Sequence, residues 1–422
     1  NTLAVLSESL EPNIDKNKVA LKGNNIFQNL SFKQKFGRYL LNVGTSYAIN
    51  KSDIQFSSIL NDAPQSSFAS NNTGNYLNAK AVVERKINKI SALRGGFELN
   101  NSNEKLQYDI FNRNYSDLIS AGFVETDLGF SNDFSAKLGV RAENSTYLNK
   151  WNFAPRVAVA YRLAKDFTTS LAYGIFYQNP ESKYLNSNAP LTFQKADHYI
   201  FQLQRNTEGR NLRFEAFYKS YDQLIKTGGN QFFQSAINNS GDGFAKGFEL
   251  FWRDKKSINN IDYWITYSYL DSKRDFQNYP ISLTPGFAAK HTFNVVAKKF
   301  VTNWKTGFNM SYTYSSGRPY YDIISNNGQN LIRYEGKLKD YSGLNFSLNY
   351  LPNLGKADSK TFTVLVLSIS NILGNKNVYG YNFSNDGMRS SAVVPPVNTF
   401  VFIGAFISFG VDKTNDAINN NL

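Results

Sequence analysis

The residues able to make or break bonds are few. The 422-residue sequence holds two histidines, His198 and His291, and no cysteine. His198 follows Asp197 in KADHYIFQ, and a histidine beside a carboxylate is the pairing a general base uses. The competing reading is a residue at the end of a strand, and His291 in KHTFNVV sits near a strand start in the same way. No G-x-S-x-G or H-E-x-x-H is present, so there is neither a nucleophile elbow nor a zincin helix. Without cysteine there is no disulfide, thiolate metal site or thiol nucleophile. GDGFAKG at 241–247 has the glycines of a phosphate-cradling loop but the wrong spacing and no helix after it, and reads better as a loop turning into the strand GFELFW. SNDG at 384–387 offers oxygens that Ca²⁺ would need in number, yet a turn is the commoner use of such residues. The expectation is a protein with no catalytic residue, cofactor or metal.

Binding chemistry is better supplied. The chain has 34 Phe and 26 Tyr, 15% aromatic with Trp included, while only 19% is charged. Tyr173 and Tyr177, Tyr267 and Tyr269, and Tyr312 and Tyr314 fall near the ends of alternating stretches, where amphipathic rings suit a bilayer interface. Arg318, Tyr320 and Tyr321 lie in a long connection at 318–338, and Tyr381 and Phe383 in another at 373–397. These five are candidates for substrate or partner contact by stacking and hydrogen bonding, and loop packing would use them equally well.

The elements that position these residues are strands. In DFSAKLGVRA at 133–142, Phe134, Ala136, Leu138, Val140 and Ala142 alternate with Ser135, Lys137, Gly139 and Arg141. Period-2 alternation gives one face that wants oil and one that wants water. The same pattern recurs at 29–36, 155–161, 211–221, 305–314 and 343–351. About 17 strands of roughly 9–15 residues result, longer than ordinary soluble strands and long enough to cross a bilayer at a tilt. Connections alternate in size. Short ones fall near 36–38, 87–89, 131–132, 164–166, 208–210, 258–260 and 301–303, and long ones near 59–72, 102–116, 179–194, 226–242, 276–286, 318–338 and 373–397, with a brief exception at 148–150. Short turns on one side and long loops on the other are the outer-membrane signature, with the short turns periplasmic. A soluble sandwich gives no reason for that order. No run of about 18 apolar residues exists, which excludes a transmembrane helix and says nothing about strands. The net charge of +13 is spread along polar faces with no basic helix or tail, which points to a lumen and an anionic lipid rim and away from nucleic acid.

Several stretches then resemble the carboxy-terminal barrel of TonB-dependent outer-membrane receptors of the Bacteroidetes type. AGFVETDLGFSNDFSAKLGVRAENS at 121–145, NFAPRVAVAYRLAKDFTTSLAYGIFYQNP at 152–180, RFEAFYKSYDQLI at 213–225, GFAKGFEL at 243–250, YSSGRPYYD at 314–322 and SISNILGNKNVYGY at 368–381 follow the family's order. The resemblance covers about residues 27–410. It implies nutrient uptake driven by TonB acting on a plug, with the barrel guiding and not reacting. The plug is not in this sequence, and the polar tail VDKTNDAINNNL departs from the aromatic strand that tends to end the family's chains.

The expected architecture is all-β, a transmembrane antiparallel β-barrel forming part of one with roughly 22 strands. Residues 1–26 are expected to lead in from the extracellular side, 27–410 to form the barrel and 411–422 to be a periplasmic tail. The start, NTLAVLSESLEP, lacks an initiator Met or signal sequence and reads as a processed or truncated end. Glu125, Asp127, Lys137, Arg141, Glu143, Arg156 and Arg162 are expected to face the lumen, paired across strands or hydrogen-bonded to a plug. Expected partners are TonB through the plug, outer-membrane lipid and lipopolysaccharide, and a surface lipoprotein lid. Two alternatives stand beside import of a glycan, peptide or siderophore: a receptor-like scaffold subunit of a larger outer-membrane complex, and a soluble or surface-anchored β-protein.

Overall fold

In the computed structural model the described residues are 2–108, 111–185, 189–228, 237–355 and 361–409. Eighteen strands form one antiparallel sheet. In chain order they begin β1 (Thr2–Glu8), β2 (Lys16–Phe36), β3 (Tyr39–Leu60), β4 (Ala63–Lys86), β5 (Ala92–Tyr108) and β6 (Phe111–Gly129). The sheet continues through β7 (Phe134–Ser145), β8 (Lys150–Ala164), β9 (Phe167–Gln178), β10 (Gln194–Thr207), β11 (Arg210–Thr227) and β12 (Ile237–Asp254). After β13 (Asp262–Asp275), β14 (His291–Val301) and β15 (Thr306–Ser315), two hairpins interrupt the meander. β16 (Pro319–Asn326) and β17 (Gln329–Lys337) pair only with each other, between β15 and β18 (Tyr341–Tyr350). β20 (Gly380–Phe383) and β21 (Ser390–Val393) do the same between β19 (Thr361–Ser370) and β22 (Phe400–Phe409).

The register shows one face running unbroken around the sheet. Val140 lies opposite Val124 on one side and Pro155 on the other; one rung away on the same face, Leu138, Val157, Tyr173, Tyr199 and Tyr218 follow strand by strand. Val124, Val140, Leu138, Leu171 and Tyr199 on this face are exposed, as a surface meant for lipid requires. Its upper edge carries an aromatic row: Tyr173 and Tyr199 ring centroids are 4.9 Å apart, and Tyr267, Tyr269 and His291 continue it.

The strands are longer than the alternation alone predicts. β2, β3 and β4 have 21, 22 and 24 residues, about twice what a tilted strand needs to cross a bilayer. The long connections expected at 59–72 and 102–116 are therefore mostly strand. At 61–62, Asn61 and Asp62 both adopt positive φ, which lets a two-residue turn join β3 to β4. Likewise, residues 2–26, read as a lead-in, contain β1 and half of β2. The tail read at 411–422 lies outside the described residues.

The core is not central. At the upper end, Tyr115, Leu148, Tyr184, Leu185, Phe193, Ile225 and Ile237 form a buried cluster beneath the connection 179–193, which contains the one-turn helix α1 (Ser182–Leu185). Asp117 anchors it: the carboxylate, 1% exposed, accepts hydrogen bonds from Ser145 Oγ (2.8 Å), Tyr147 N (3.0 Å) and Asn179 Nδ2 (2.9 Å). A smaller cluster, Phe300, Leu351, Leu354 and Phe362, closes the lower end of β14, β18 and β19.

Candidate functional site: an aromatic vestibule above a two-sided interior

On the long-loop side the two hairpins enclose a cavity of about 1090 Å³ together with the turn after β1 and the β13–β14 connection. Successive strand residues face opposite ways, and this turns the pair Tyr320–Tyr321 into a bracket. Tyr320 faces β20, with its ring 4.9 Å from Tyr381 and 6.3 Å from Phe383. Tyr321 faces the other way, 5.7 Å from the Tyr279 ring, and donates its hydroxyl to Thr284 O at 3.1 Å. Burial pushes the Tyr321 phenol above its ordinary pKa, which keeps it a donor. Opposite Tyr320 stands Gly336, where a Cβ would come within 2.6 Å of the tyrosine hydroxyl.

Four of the five contact candidates, Tyr320, Tyr321, Tyr381 and Phe383, line this cavity. Arg318 instead braces the hairpins, donating from Nη2 to Tyr379 O at 3.1 Å. A second brace was not singled out from sequence. Arg333 pairs with Asp322 (2.6 Å) and donates to Ser384 O and Asn385 O (2.9 and 2.7 Å), locking β17 to the tip of the β20–β21 hairpin. Asn385 N then donates to Glu11 Oε1 at 2.8 Å, so the turn before β2 touches the hairpin before β22. The cavity wall carries the carboxylates Glu8, Glu11 and Asp322 and no lysine or arginine.

Below the vestibule the polar parity differs from one side to the other. All seven charged candidates share it. Arg94 joins Glu84 (2.7 Å) and Asp127 (2.6 Å), Lys137 joins Glu125 (2.7 Å), and Arg141 joins Glu143 (2.8 Å) and Glu98 (3.2 Å). Arg156 lies over the Phe176 ring at 4.5 Å, and Arg162 stands 3.7 Å from Asp133 at the short-turn end. On β13, β14, β15, β18 and β19 the same parity is uncharged between the rung of Asp262 and Lys298 and that of Ser268, Thr292 and Ser315. Asn294 Nδ2 donates to Thr266 Oγ1 (3.1 Å) and Thr313 Oγ1 donates to Asn294 Oδ1 (2.8 Å). Asn345 Nδ2 donates to Ser311 Oγ, and Asn309 Nδ2 to Ser347 Oγ, each at 3.3 Å.

An open meander of this size, oily on one face and wet on the other, has a match among known families. The family described as TonB dependent receptor-like, beta-barrel, matches residues 9–372. The chain belongs to this family. Its barrel is accordingly an outer-membrane one.

Solved structures share the receptor fold at low identity. The ferric yersiniabactin uptake receptor FyuA from Yersinia pestis aligns with a TM-score of 0.73 at 13% identity, over 95% of this chain and 63% of that one. The ferripyoverdine receptor of the Pseudomonas aeruginosa outer membrane gives 0.70 at 12%, over 93% and 56%. The outer membrane transporter YddB from Escherichia coli gives 0.61 at 10%, over 97% and 74%. The receptor barrel thus spans less than two thirds of the length of the first two. Comparison with curated protein sequences gives no match.

In this TonB-dependent receptor barrel the remaining sequence candidates have structural places. Asp197 and His198 point to opposite faces: Asp197 takes Lys195 (2.8 Å) and Tyr173 OH (3.1 Å), while His198 lies against Phe176 with centroids 4.5 Å apart. His291 Nδ1 meets Tyr267 OH at 2.9 Å in the outer aromatic row. Gly241 is inside β12, where a Cβ would meet Asp275 O at 2.4 Å, so the glycine serves close strand approach and not a phosphate. Asp386 in SNDG closes its own turn by accepting from Ser384 Oγ (2.6 Å) and Met388 N (2.9 Å). Among the described residues no group of three His, Cys, Asp or Glu is placed to hold a metal.

Proposed function

We propose that this chain is the barrel of a receptor that imports a nutrient across the outer membrane, driven by TonB acting through a plug. The observation that carries the reading is the vestibule: an aromatic cavity on the long-loop side, opening over a polar interior within a family of receptor barrels. At about 1090 Å³ it exceeds an ordinary small-molecule pocket of about 300–1,000 Å³, so it suits a ligand with several rings or units. Flat apolar faces would stack on Tyr320, Tyr381 and Phe383, and hydroxyl or amide edges would meet the polar rim.

Two further features support an assembly larger than these residues. Among the described residues no pairing joins β22 to β1, and Asn24–Phe36 of β2 pair with β3 alone. A closed plugged transporter of 22 strands would fill that seam with roughly four more. The polar parity also leaves carboxylates and basic groups partly exposed, a surface suited to a hydrogen-bonding plug.

The test is depletion of growth medium, followed by mass spectrometry, for cells with and without the full-length receptor and with and without functional TonB. A compound whose removal requires both supports the reading. Removal that needs the receptor but not TonB, or no receptor-dependent removal at all, overturns it. Stoichiometric co-purification with an outer-membrane complex, without such uptake, would favour the scaffold instead.

A further inference from the structure

We infer that ligand crosses the barrel along one side only, down the Ser/Thr/Asn face of β13, β14, β15, β18 and β19, away from the charged face of β4–β8. This rests on the import reading above.

Three observations place the route there. The first is continuity. The two hairpins that enclose the vestibule rise from β15, β18, β19 and β22 themselves, and Tyr341 at the top of β18 lies 6.4 Å, centroid to centroid, from Tyr379 in the vestibule wall. The second is charge. Between the rung of Lys298 near the short-turn end and that of Ser315 at the top, the wet parity of these five strands carries no Asp, Glu, Lys or Arg. Successive rungs are Ser268–Thr292–Ser315, Thr266–Asn294–Thr313 and Trp264–Val296–Ser311–Asn345, and below them Asn309–Ser347–Ser368 continues the rung of Asp262 and Lys298. The third is an open acceptor: Asn309 Oδ1 is buried from solvent with no hydrogen-bond partner in the structure.

The chemistry of the two sides argues the same way. Passage requires sites that bind a polar ligand well enough to admit it and weakly enough to release it to the next. A ladder of hydroxyls and amides exchanges its hydrogen bonds for those of a ligand rung by rung, at similar strength each time. On the opposite side, Arg94, Arg141 and Lys137 are committed to carboxylates, and parting a partly desolvated ion pair leaves charge uncompensated. That side is built to hold an arrangement, not to pass one along.

These 422 residues hold no cysteine, so a thiol introduced here is the barrel's own label. Cysteines would be placed singly in the full-length receptor at Val296→Cys and Gly343→Cys, on the wet parity of the neutral side but outside its hydrogen-bonded ladder, with any cysteine elsewhere in the receptor replaced by serine. Ala158→Cys and Ala160→Cys would serve on the charged side, where neither substitution removes an ion pair. Living cells in growth medium are treated with a membrane-impermeant maleimide, with and without functional TonB, after each variant is shown to retain TonB-dependent depletion. Labelling at residues 296 and 343 should be several-fold faster when TonB works, with residues 158 and 160 unchanged. Faster labelling at 158 and 160, or equal change or no change on both sides in variants that still import, overturns the route while leaving the import reading intact. Loss of TonB dependence in the unmodified receptor's own depletion is instead a failure of the import reading, and the route falls with it.

Discussion

Tyr320 and Tyr381 stand on different hairpins, yet their rings meet with centroids 4.9 Å apart over the vestibule. Neither hairpin belongs to the barrel sheet, so this contact, the Phe383 stack and the Arg333 clamp are what fix the cavity's shape. An aromatic pair adds about 0.5–1.5 kcal/mol beyond area burial. Tyr320→Ala should therefore loosen β20–β21 and speed amide exchange at Tyr381 and Phe383 by roughly two- to twelvefold, taking 1.4 kcal/mol as a factor of ten. Exchange confined to its original rate would show that the hairpins hold each other by other means.

The two faces predict opposite tolerance to charge. Val140 lies on the exposed apolar parity and Lys137 on the wet one, bound to Glu125 at 2.7 Å. Val140→Arg should cost about 2–4 kcal/mol if it sits at the bilayer midplane, whereas Lys137→Arg keeps its charge and partner and should be close to neutral. Folding of the full receptor into lipid vesicles across a urea series checks both. Equal tolerance would contradict the assignment of lipid to the Val140 face.

Much of the barrel is legible because lipid and water impose opposite demands on neighbouring residues, as at Phe134–Ala142. Where strands rise beyond the bilayer both faces are wet, and the contrast fades. That is why the stretch 59–72, where β3 ends and β4 begins around Asn61 and Asp62, has the sequence pattern of a long connection. The β16–β17 hairpin did leave a signal: Asn327–Gly328, both at positive φ, is the dipeptide favoured in tight hairpin turns. Tyr320, Tyr321, Tyr381 and Phe383 were legible as rings placed outside the membrane. The Glu11–Asn385 bond was not, because no local pattern links two turns at opposite ends of a sheet.

Asp117 should behave as a single fastener for the connection above it. Asp117→Ala removes the acceptor for Ser145, Tyr147 and Asn179 at once, and each hydrogen bond to a charged group is worth about 1.5–3 kcal/mol. The loop carrying α1 should detach, so that trypsin cuts faster after Lys183, already exposed but held in α1, while the barrel stays folded. Resistance to cleavage at Lys183 would show that the apolar cluster of Leu185 and Phe193 suffices alone.

The tip of the β20–β21 hairpin should loosen in acid. The bond from Ser384 Oγ, with that from Met388 N, holds the Asp386 carboxyl below the usual carboxylate range. A folded-state pKa below the unfolded one means the stabilisation is complete above an ordinary value of about 3.9 and is lost as pH falls through the depressed value. Amide exchange at Met388, corrected for intrinsic pH dependence, should hold steady down to about pH 4 and rise below it. Asp386→Asn should remove that acid limb, and its persistence would assign the effect to another group.

The most direct test of the account is TonB-dependent depletion by a receptor whose vestibule has lost its rings. Tyr320→Ala, Tyr381→Ala and Phe383→Ala are combined, and heat-dependent mobility in electrophoresis confirms a folded barrel at normal outer-membrane level. Depletion should then fall to the level of cells without TonB. Depletion at the unmodified rate would contradict it, because ligand would then be entering without the cavity that β16–β17 and β20–β21 enclose.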